Sequence, residues 1–96
     1  MSYHGTEKKM AEAIAGIGYD LRKGKRFAYG RGIYSTPHPA IAERYAKEFE
    51  FKGAKYKVIL QNRVNMEDTE VIKYMNYFVT ASEENIRPCA LLFKKM

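Results

Sequence analysis

Residues 29–46 read YGRGIYSTPHPAIAERYA, and this stretch orders a glycine-rich segment, a strand, a corner and a helix. The run RGIYS at 31–35 predicts a short strand that presents Tyr34. The proline-rich corner predicts a helix start, because proline at the first helical position lacks only an amide that would be unbonded there. The predicted helix carries a second tyrosine, Tyr45. The order of these parts suggests two aromatic rings placed on either side of a stiff corner.

The helix after the corner is predicted to begin at Pro37 or Pro39 and to end near Gly53. Either Thr36 or His38 is expected to cap its amino terminus. Three large side chains four residues apart predict its buried face: Ile41, Tyr45 and Phe49.

An earlier helix is predicted over residues 7–17, where apolar side chains recur at helical spacing. Thr6 is its expected N-cap, and Gly16 and Gly18 are its expected stop. Residues 18–30 are basic and glycine-punctuated, which indicates a loop.

The second half of the chain is dominated by strand patterns. Residues 56–64 alternate between apolar and polar side chains, and strands are also predicted at 77–81 and 86–95. Residues 65–76 are expected to form a connector. Pro88 cannot donate to a sheet ladder, so it is expected at a strand start, a bulge or an edge. Helices early and strands late predict an α+β domain spanning residues 1–96.

Composition narrows the classes of function without choosing one. The 96 residues carry a net charge of +6, which suits acidic partners such as nucleic acid or phosphates, but equally suits ordinary solubility. The single cysteine, Cys89, lies in an apolar run and is expected to be buried. One cysteine allows no disulfide within the chain, so an intracellular location in cytoplasm or nucleus is expected. No secretion signal or membrane-spanning run is visible, and no membrane partner is expected. Two distant histidines and one cysteine predict no metal site.

Several short motifs occur together in a fixed order: YHGT at 3–6, GRGIYST at 30–36, Tyr45 on the next helix, and NYFVTA at 76–81. This set resembles the catalytic core of ADP-ribosyltransferases of the diphtheria-toxin and poly(ADP-ribose) polymerase class, in a minimal form. The resemblance covers nearly the whole chain. It implies a split, mostly antiparallel sheet with two short helices, and NAD as co-substrate.

The resemblance implies a role for each matching residue. His4 would bond a ribose hydroxyl of NAD, although a histidine that bonds a neighbouring carbonyl is the simpler reading. Gly5 would offer its backbone to the nicotinamide amide, and Thr6 would add a hydroxyl contact. Tyr34 and Tyr45 would sandwich the nicotinamide ring, although Tyr45 also fits a core stripe. Arg22, in a loop with other basic residues, would face the pyrophosphate, although a solvated basic loop explains it equally.

Three positions depart from the family pattern. Asp20 stands at the family's usual arginine position, so Arg22 would have to substitute. Asn76 stands where chain-forming polymerases have a glutamate, so the resemblance implies transfer of a single ADP-ribose rather than chain growth. Ala42 stands where many members have a serine that bonds the nicotinamide amide. His4, Tyr34 and Asn76 are the expected catalytic positions.

The resulting expectation is an NAD-dependent mono-ADP-ribosyltransferase that releases nicotinamide and modifies a protein or nucleic-acid acceptor. One alternative is a pseudoenzyme that binds NAD or ADP-ribose without catalysis. Another is a small basic nucleic-acid-binding domain that stacks bases on tyrosine and phenylalanine. An RNA phosphotransferase on a related fold would need a basic catalytic set that the sequence does not show.

Overall fold

The computed structural model describes residues 1–20 and 32–96. Within them, every strand pair is antiparallel. The elements in chain order are β1 (Ser2–Gly5), α1 (Lys8–Ile17), β2 (Ile33–Ser35), α2 (Pro39–Tyr45), β3 (Phe49–Phe51), β4 (Ala54–Val64), β5 (Thr69–Ile72), β6 (Tyr77–Thr80) and β7 (Ile86–Lys95). The predicted α+β class, with two short helices and antiparallel sheets, is confirmed.

The strands form two sheets that meet at one bridge. In the larger sheet, β4 pairs with β7 on one side and with β1 and β3 on the other. The smaller sheet has the order β2-β6-β5. Tyr3 and Thr36 exchange two backbone hydrogen bonds, of 2.7 and 2.9 Å, and join β1 to the end of β2. Beyond this bridge the two sheets separate, which leaves room for a cleft beside β1.

The two helices cover opposite faces of the larger sheet, because successive side chains of β4 point to opposite faces. On one face, Ala11 and Ile14 of α1 pack with Val58 and Leu60 in the main core. On the other face, α2 packs Ala42 and Ala46 against Ile59. Both faces of β4 are therefore buried at its centre. None of the helices in the described residues is long and apolar enough to cross a membrane.

Helix α1 begins one residue later than predicted. Its N-cap is Glu7, whose side chain makes no capping hydrogen bond, so the prediction of Thr6 as the cap is wrong. Gly18 ends the helix with a φ of 86°, a left-handed conformation that glycine adopts without strain. The predicted glycine stop is therefore confirmed at this position.

Helix α2 is shorter than predicted. It begins at Pro39, with His38 as its N-cap, and ends at Tyr45 rather than near Gly53. Phe49 lies in β3, so the expected helical stripe is wrong. Lys52 and Gly53 join β3 to β4, and their φ values of 50° and 79° fit a two-residue type I′ turn.

The later strands largely follow the sequence pattern. β4, β6 and β7 coincide with the three predicted strands, whereas β5 lies in the segment expected to be a connector. Pro88 lies in an edge strand beside a register shift, as predicted. Cys89 is the extra residue of that bulge. It is exposed, so its predicted burial is wrong, and its thiol donates to the carbonyl of Gln61 at 3.3 Å.

Candidate functional site

A cleft of about 170 Å³ opens where the two sheets separate. Its walls come from β1, β2, α2 and β6, so four elements distant in sequence contribute to it. The lining residues are Tyr3, His4, Gly5, Tyr34, Ser35, Thr36, Ala42, Tyr45 and Tyr77. The structure therefore brings four of the predicted site residues together in one cavity: His4, Gly5, Tyr34 and Tyr45.

The protonation state of His4 follows from its hydrogen bond. Its Nδ1 lies 2.7 Å from the carbonyl oxygen of Tyr34, and a carbonyl only accepts, so Nδ1 carries the proton. Burial lowers the pKa of the imidazole, and the bond to Tyr34 opposes this shift only in part. The ring is then neutral near pH 7, and Nε2 carries a lone pair. The predicted bond to a neighbouring carbonyl is present, and it prepares Nε2 to accept a hydrogen bond.

The His4 ring packs against Tyr19, which is itself held by a hydrogen bond to the buried side chain of Asn62. The ring of Tyr19 meets the His4 ring edge-on, with centroids 5.6 Å apart. The Tyr19 hydroxyl donates to Oδ1 of Asn62 at 2.7 Å, and Asn62 is fully buried. Burial of this phenol raises its pKa well above the ordinary value, so it stays protonated and keeps donating.

Gly5 is placed where no side chain fits. A Cβ on this residue would lie 1.8 Å from the carbonyl oxygen of Ala42 and 3.0 Å from the amide nitrogen of Ala46. Helix α2 therefore packs directly on the backbone of β1. This contact gives Gly5 a structural reason that is independent of any ligand.

The backbone of Gly5 also has a favourable direction. Tyr3 bonds Thr36 through both its amide and its carbonyl, on the side of β1 away from β4. Amide and carbonyl groups of alternate residues on an antiparallel strand point to the same side. Those of Gly5 therefore point towards the cleft side as well. A single residue thus presents one donor and one acceptor there.

Three tyrosines form the aromatic part of the lining. Tyr34 comes from β2, Tyr45 ends α2, and Tyr77 begins β6. The hydroxyls of Tyr45 and Tyr77 are hydrogen-bonded, and their rings meet at 62° with centroids 6.4 Å apart. Tyr45 is 56% exposed, so it belongs to the rim of the cleft and not to the apolar core.

A larger groove of about 640 Å³ continues from the cleft along α1. It shares His4, Gly5, Tyr34 and Tyr45 with the cleft, and Thr6 and Asp20 also line it. Thr6 thus lies beside the groove, although it does not line the smaller cleft. Arg22 lies outside the described residues, so its predicted contact with the pyrophosphate stays a prediction.

Asn76 is not among the residues that line either cavity. It follows a short 3-10 turn, Lys73–Met75, and has a φ of 55°. Asparagine tolerates this left-handed conformation better than most residues, which gives a local reason for its presence. Its neighbour Tyr77, the first residue of β6, lines the cleft. The catalytic assignment of Asn76 stays a prediction.

The sequence analysis missed two contributors to the site. The sequence predicts Tyr77 only as part of a strand, because no local sequence pattern shows that β6 pairs with β2 and therefore borders the cleft. Tyr19 lies in a segment whose sequence shows neither helical nor strand periodicity. Its only sequence signal is an aromatic residue directly after the glycine that ends α1.

No protein-family model matches the chain, and the comparison with curated proteins found no match either.

Proposed function

We propose that the chain is an NAD-dependent mono-ADP-ribosyltransferase with a minimal form of the split-sheet fold of the poly(ADP-ribose) polymerase class. The convergence of His4, Gly5, Tyr34 and Tyr45 in one cleft carries this proposal. These residues lie in three separate segments of the sequence, at 4–5, 34 and 45. Their assembly beside a split between two antiparallel sheets is what the resemblance requires.

The cleft has the size and chemistry for one flat ring that carries an amide. Its volume is well below the about 300–1,000 Å³ of pockets that enclose a whole drug-sized ligand. Tyrosine rings at its wall and rim provide faces for stacking, which contributes on the order of 1 kcal/mol beyond burial. The amide and carbonyl of Gly5 are the complementary pair for the nicotinamide amide. Ala42 offers no third hydrogen bond there.

The remainder of the dinucleotide would lie in the larger groove, whose volume of about 640 Å³ falls in the usual range for ligands of that size. His4 borders both cavities, so its neutral Nε2 would meet the ribose attached to nicotinamide where the ligand passes between them. In this position it accepts a hydrogen bond from a ribose hydroxyl and orients the sugar. Charge on the phosphates would be met by Lys47, which lines the groove, and by the basic segment at 22–26.

The reaction breaks the bond between the nicotinamide nitrogen and the ribose carbon. The electron pair leaves with nicotinamide, which departs neutral, and an acceptor nucleophile bonds the same carbon and loses its proton to solvent. Such a transition state has oxocarbenium character, as in glycoside hydrolysis. The task of His4, Gly5 and the tyrosines is to hold the ring and sugar in a reactive orientation. Asn76 would provide a hydrogen bond without the charge of a glutamate.

The activity is tested by incubation with NAD labelled in its ADP-ribose part, together with protein, RNA and DNA acceptors, while nicotinamide release is followed. We expect release coupled to labelling of one acceptor. Tyr34→Ala should lower the rate at least about tenfold, because both stacking and apolar burial of the ring are lost. Tyr74→Ala is the matched control, since Tyr74 is 79% exposed and lines neither cavity. Equal rates for Tyr34→Ala and the parent protein would contradict the proposed site.

A second candidate function is an NAD-binding pseudoenzyme. Among the described residues, no Asp or Glu lines the smaller cleft, and Glu7 and Asp20 line only the larger groove. A cleft without a carboxylate stabilises a cationic sugar poorly. This candidate predicts that NAD raises the melting temperature while nicotinamide release stays at the level without protein. Release of nicotinamide that depends on Tyr34 would exclude it.

A further inference from the structure

A second group of aromatic rings lies on the α1-covered face of the larger sheet, at the end where β3 pairs with β4. We call it the aromatic patch. The ladder pairs Phe49 with Tyr56 and Val58 with Phe93, which places these side chains on the same face as the buried Val58. The members of the aromatic patch are Phe49, Phe51, Tyr56 and Phe93.

The rings of the aromatic patch contact one another in a continuous series. Phe49 stacks on Tyr56, with centroids 6.0 Å apart at an angle of 27°. Phe93 meets Phe49 edge-on at 6.3 Å, and Phe51 meets Tyr56 edge-on at 6.5 Å. Phe51 is 51% exposed and Phe93 is 59% exposed. The main core thus continues into rings that keep large exposed surfaces.

Lysine side chains border this patch. The ammonium of Lys8, at the start of α1, lies 5.3 Å from the centre of the Phe49 ring, and that of Lys52 lies 5.4 Å from the centre of the Phe51 ring. Lys95 lies opposite Tyr56 in the ladder, on the same face. The acidic neighbour Glu50 alternates to the other face of β3, and Glu12 pairs with Lys8 at 3.5 Å. The patch is therefore bordered mainly by positive charge.

We propose that the aromatic patch binds single-stranded nucleic acid. Aromatic side chains on a sheet stack unpaired bases, and neighbouring cations contact the phosphates. The patch has both components within one contact network, on a protein whose net charge is +6. Stacking on rings of this kind is tolerant of sequence, because every base has a flat face. The patch thus accepts any unpaired strand, with preference set by stacking strength.

Charge decides between this occupant and a second copy of the chain. Two copies that met through this face would bring two sets of Lys8, Lys52 and Lys95 into one interface, and like charges oppose association. The edge strand β7, which contributes Phe93, carries Pro88 and a bulge towards its other end, and such devices prevent pairing between edges. A polyanion meets neither obstacle.

Binding is tested by fluorescence anisotropy with a labelled oligouridylate of about 20 nucleotides, which exceeds the about 4–16 nucleotides of a typical stacking site. NAD is left out, so the result is independent of the proposed transferase activity. We expect binding that weakens with salt. Phe51→Ala and Phe93→Ala should each lower the affinity at least about fivefold, the lower end of what one stacked base contributes. Val71→Ala, at a similarly exposed apolar residue on β5, should leave it unchanged.

The lysine contribution is read from the salt dependence. Lys52→Gln should make the slope of log affinity against log salt shallower by about 0.7, the value for one phosphate contact on a single strand. Binding that is equal in Phe51→Ala, Phe93→Ala and the parent protein would overturn the proposal. A failure to bind the oligonucleotide would also overturn the proposal. Binding to vesicles of anionic lipid, or sedimentation as a dimer through this face, would then identify a different occupant.

Discussion

The cleft beside β1 and the aromatic patch at the end of the larger sheet both expose aromatic rings, but their surroundings differ. In the cleft, Tyr34 and Tyr45 stand beside the backbone of Gly5 and the imidazole of His4. In the aromatic patch, Phe49 and Phe51 stand beside lysine ammonium groups. The cleft is concave and offers directional hydrogen bonds, whereas the patch is open and offers charge.

This difference indicates different ligands for the two regions. A cavity of about 170 Å³ with one donor and one acceptor on a single backbone residue suits the single flat amide-bearing ring that we propose for it. An open row of rings with neighbouring lysines suits the class of polymer that we propose for it rather than a particular group. The two regions also differ in how they are built. The cleft depends on close backbone packing, and the patch depends on side chains that solvent already reaches.

The largest effect is expected from Gly5→Ala. A Cβ at Gly5 would lie 1.8 Å from the carbonyl oxygen of Ala42, so α2 must move away from β1. We expect a loss of about 3 kcal/mol or more in the free energy of unfolding, the upper part of the range for overpacking. Urea denaturation measures it. Phe51→Ala in the aromatic patch should cost less than about 1 kcal/mol, because the ring is half exposed.

Gly16→Ala is the matched control for this substitution. Gly16 lies within α1, and no atom outside its own helix and neighbours lies within 4 Å of a Cβ built there. Alanine should therefore stabilise the protein by about 0.5–1 kcal/mol through its helix propensity. A Gly5→Ala protein as stable as the parent would show that the cleft is not built on this contact.

A smaller effect is expected from Tyr19→Phe, which removes the hydroxyl behind His4. Oδ1 of the buried Asn62 then loses its donor, and an unsatisfied buried acceptor costs about 1–3 kcal/mol. The midpoint of urea denaturation measures this loss. An unchanged midpoint would mean that the hydrogen bond between Tyr19 and Asn62 does not stabilise the rear wall of the cleft.

The parts of the fold that the sequence predicted are those with a local signal. The alternation in 56–64 predicted β4, and the apolar run in 86–95 predicted β7. The glycine at 18 predicted the end of α1. Helix α2 was overextended because Ile41, Tyr45 and Phe49 have helical spacing, although Phe49 pairs across a hairpin. The turn was missed because it has lysine, rather than asparagine or aspartate, before its glycine.

The parts of the site that could not be predicted from the sequence depend on contacts between segments that are distant along the chain. His4, Gly5, Tyr34 and Tyr45 were found because motifs mark them. Tyr77 has no such mark, and its place in the cleft follows only from the pairing of β6 with β2. The packing reason for Gly5 could not be predicted either, since it requires knowing that α2 crosses β1 at that residue.

Lowering the pH should affect the stability of the cleft but not that of the aromatic patch, because His4 lies only in the cleft. Its folded pKa is lower than 6.5, so the unfolded chain binds the proton first as the pH falls. The stability that the neutral ring contributes is fully present above pH 6.5 and is lost as the pH falls through the lower folded pKa. Urea denaturation as a function of pH should show this loss in the parent protein. It should be absent in His4→Gln and retained in His38→Gln, at an exposed histidine. A loss of the same size in His4→Gln would contradict the assignment.

The central claim is that the cleft, and not the aromatic patch, receives the nicotinamide end of NAD. Backbone amide chemical shifts of the isotope-labelled protein, recorded during titration with NAD and separately with nicotinamide, test it most directly. We predict that both ligands shift the amides of Gly5 and Tyr34, while those of Phe51 and Lys52 stay in place. Shifts confined to Phe51 and Lys52, or no shift at Gly5 with either ligand, would contradict the account.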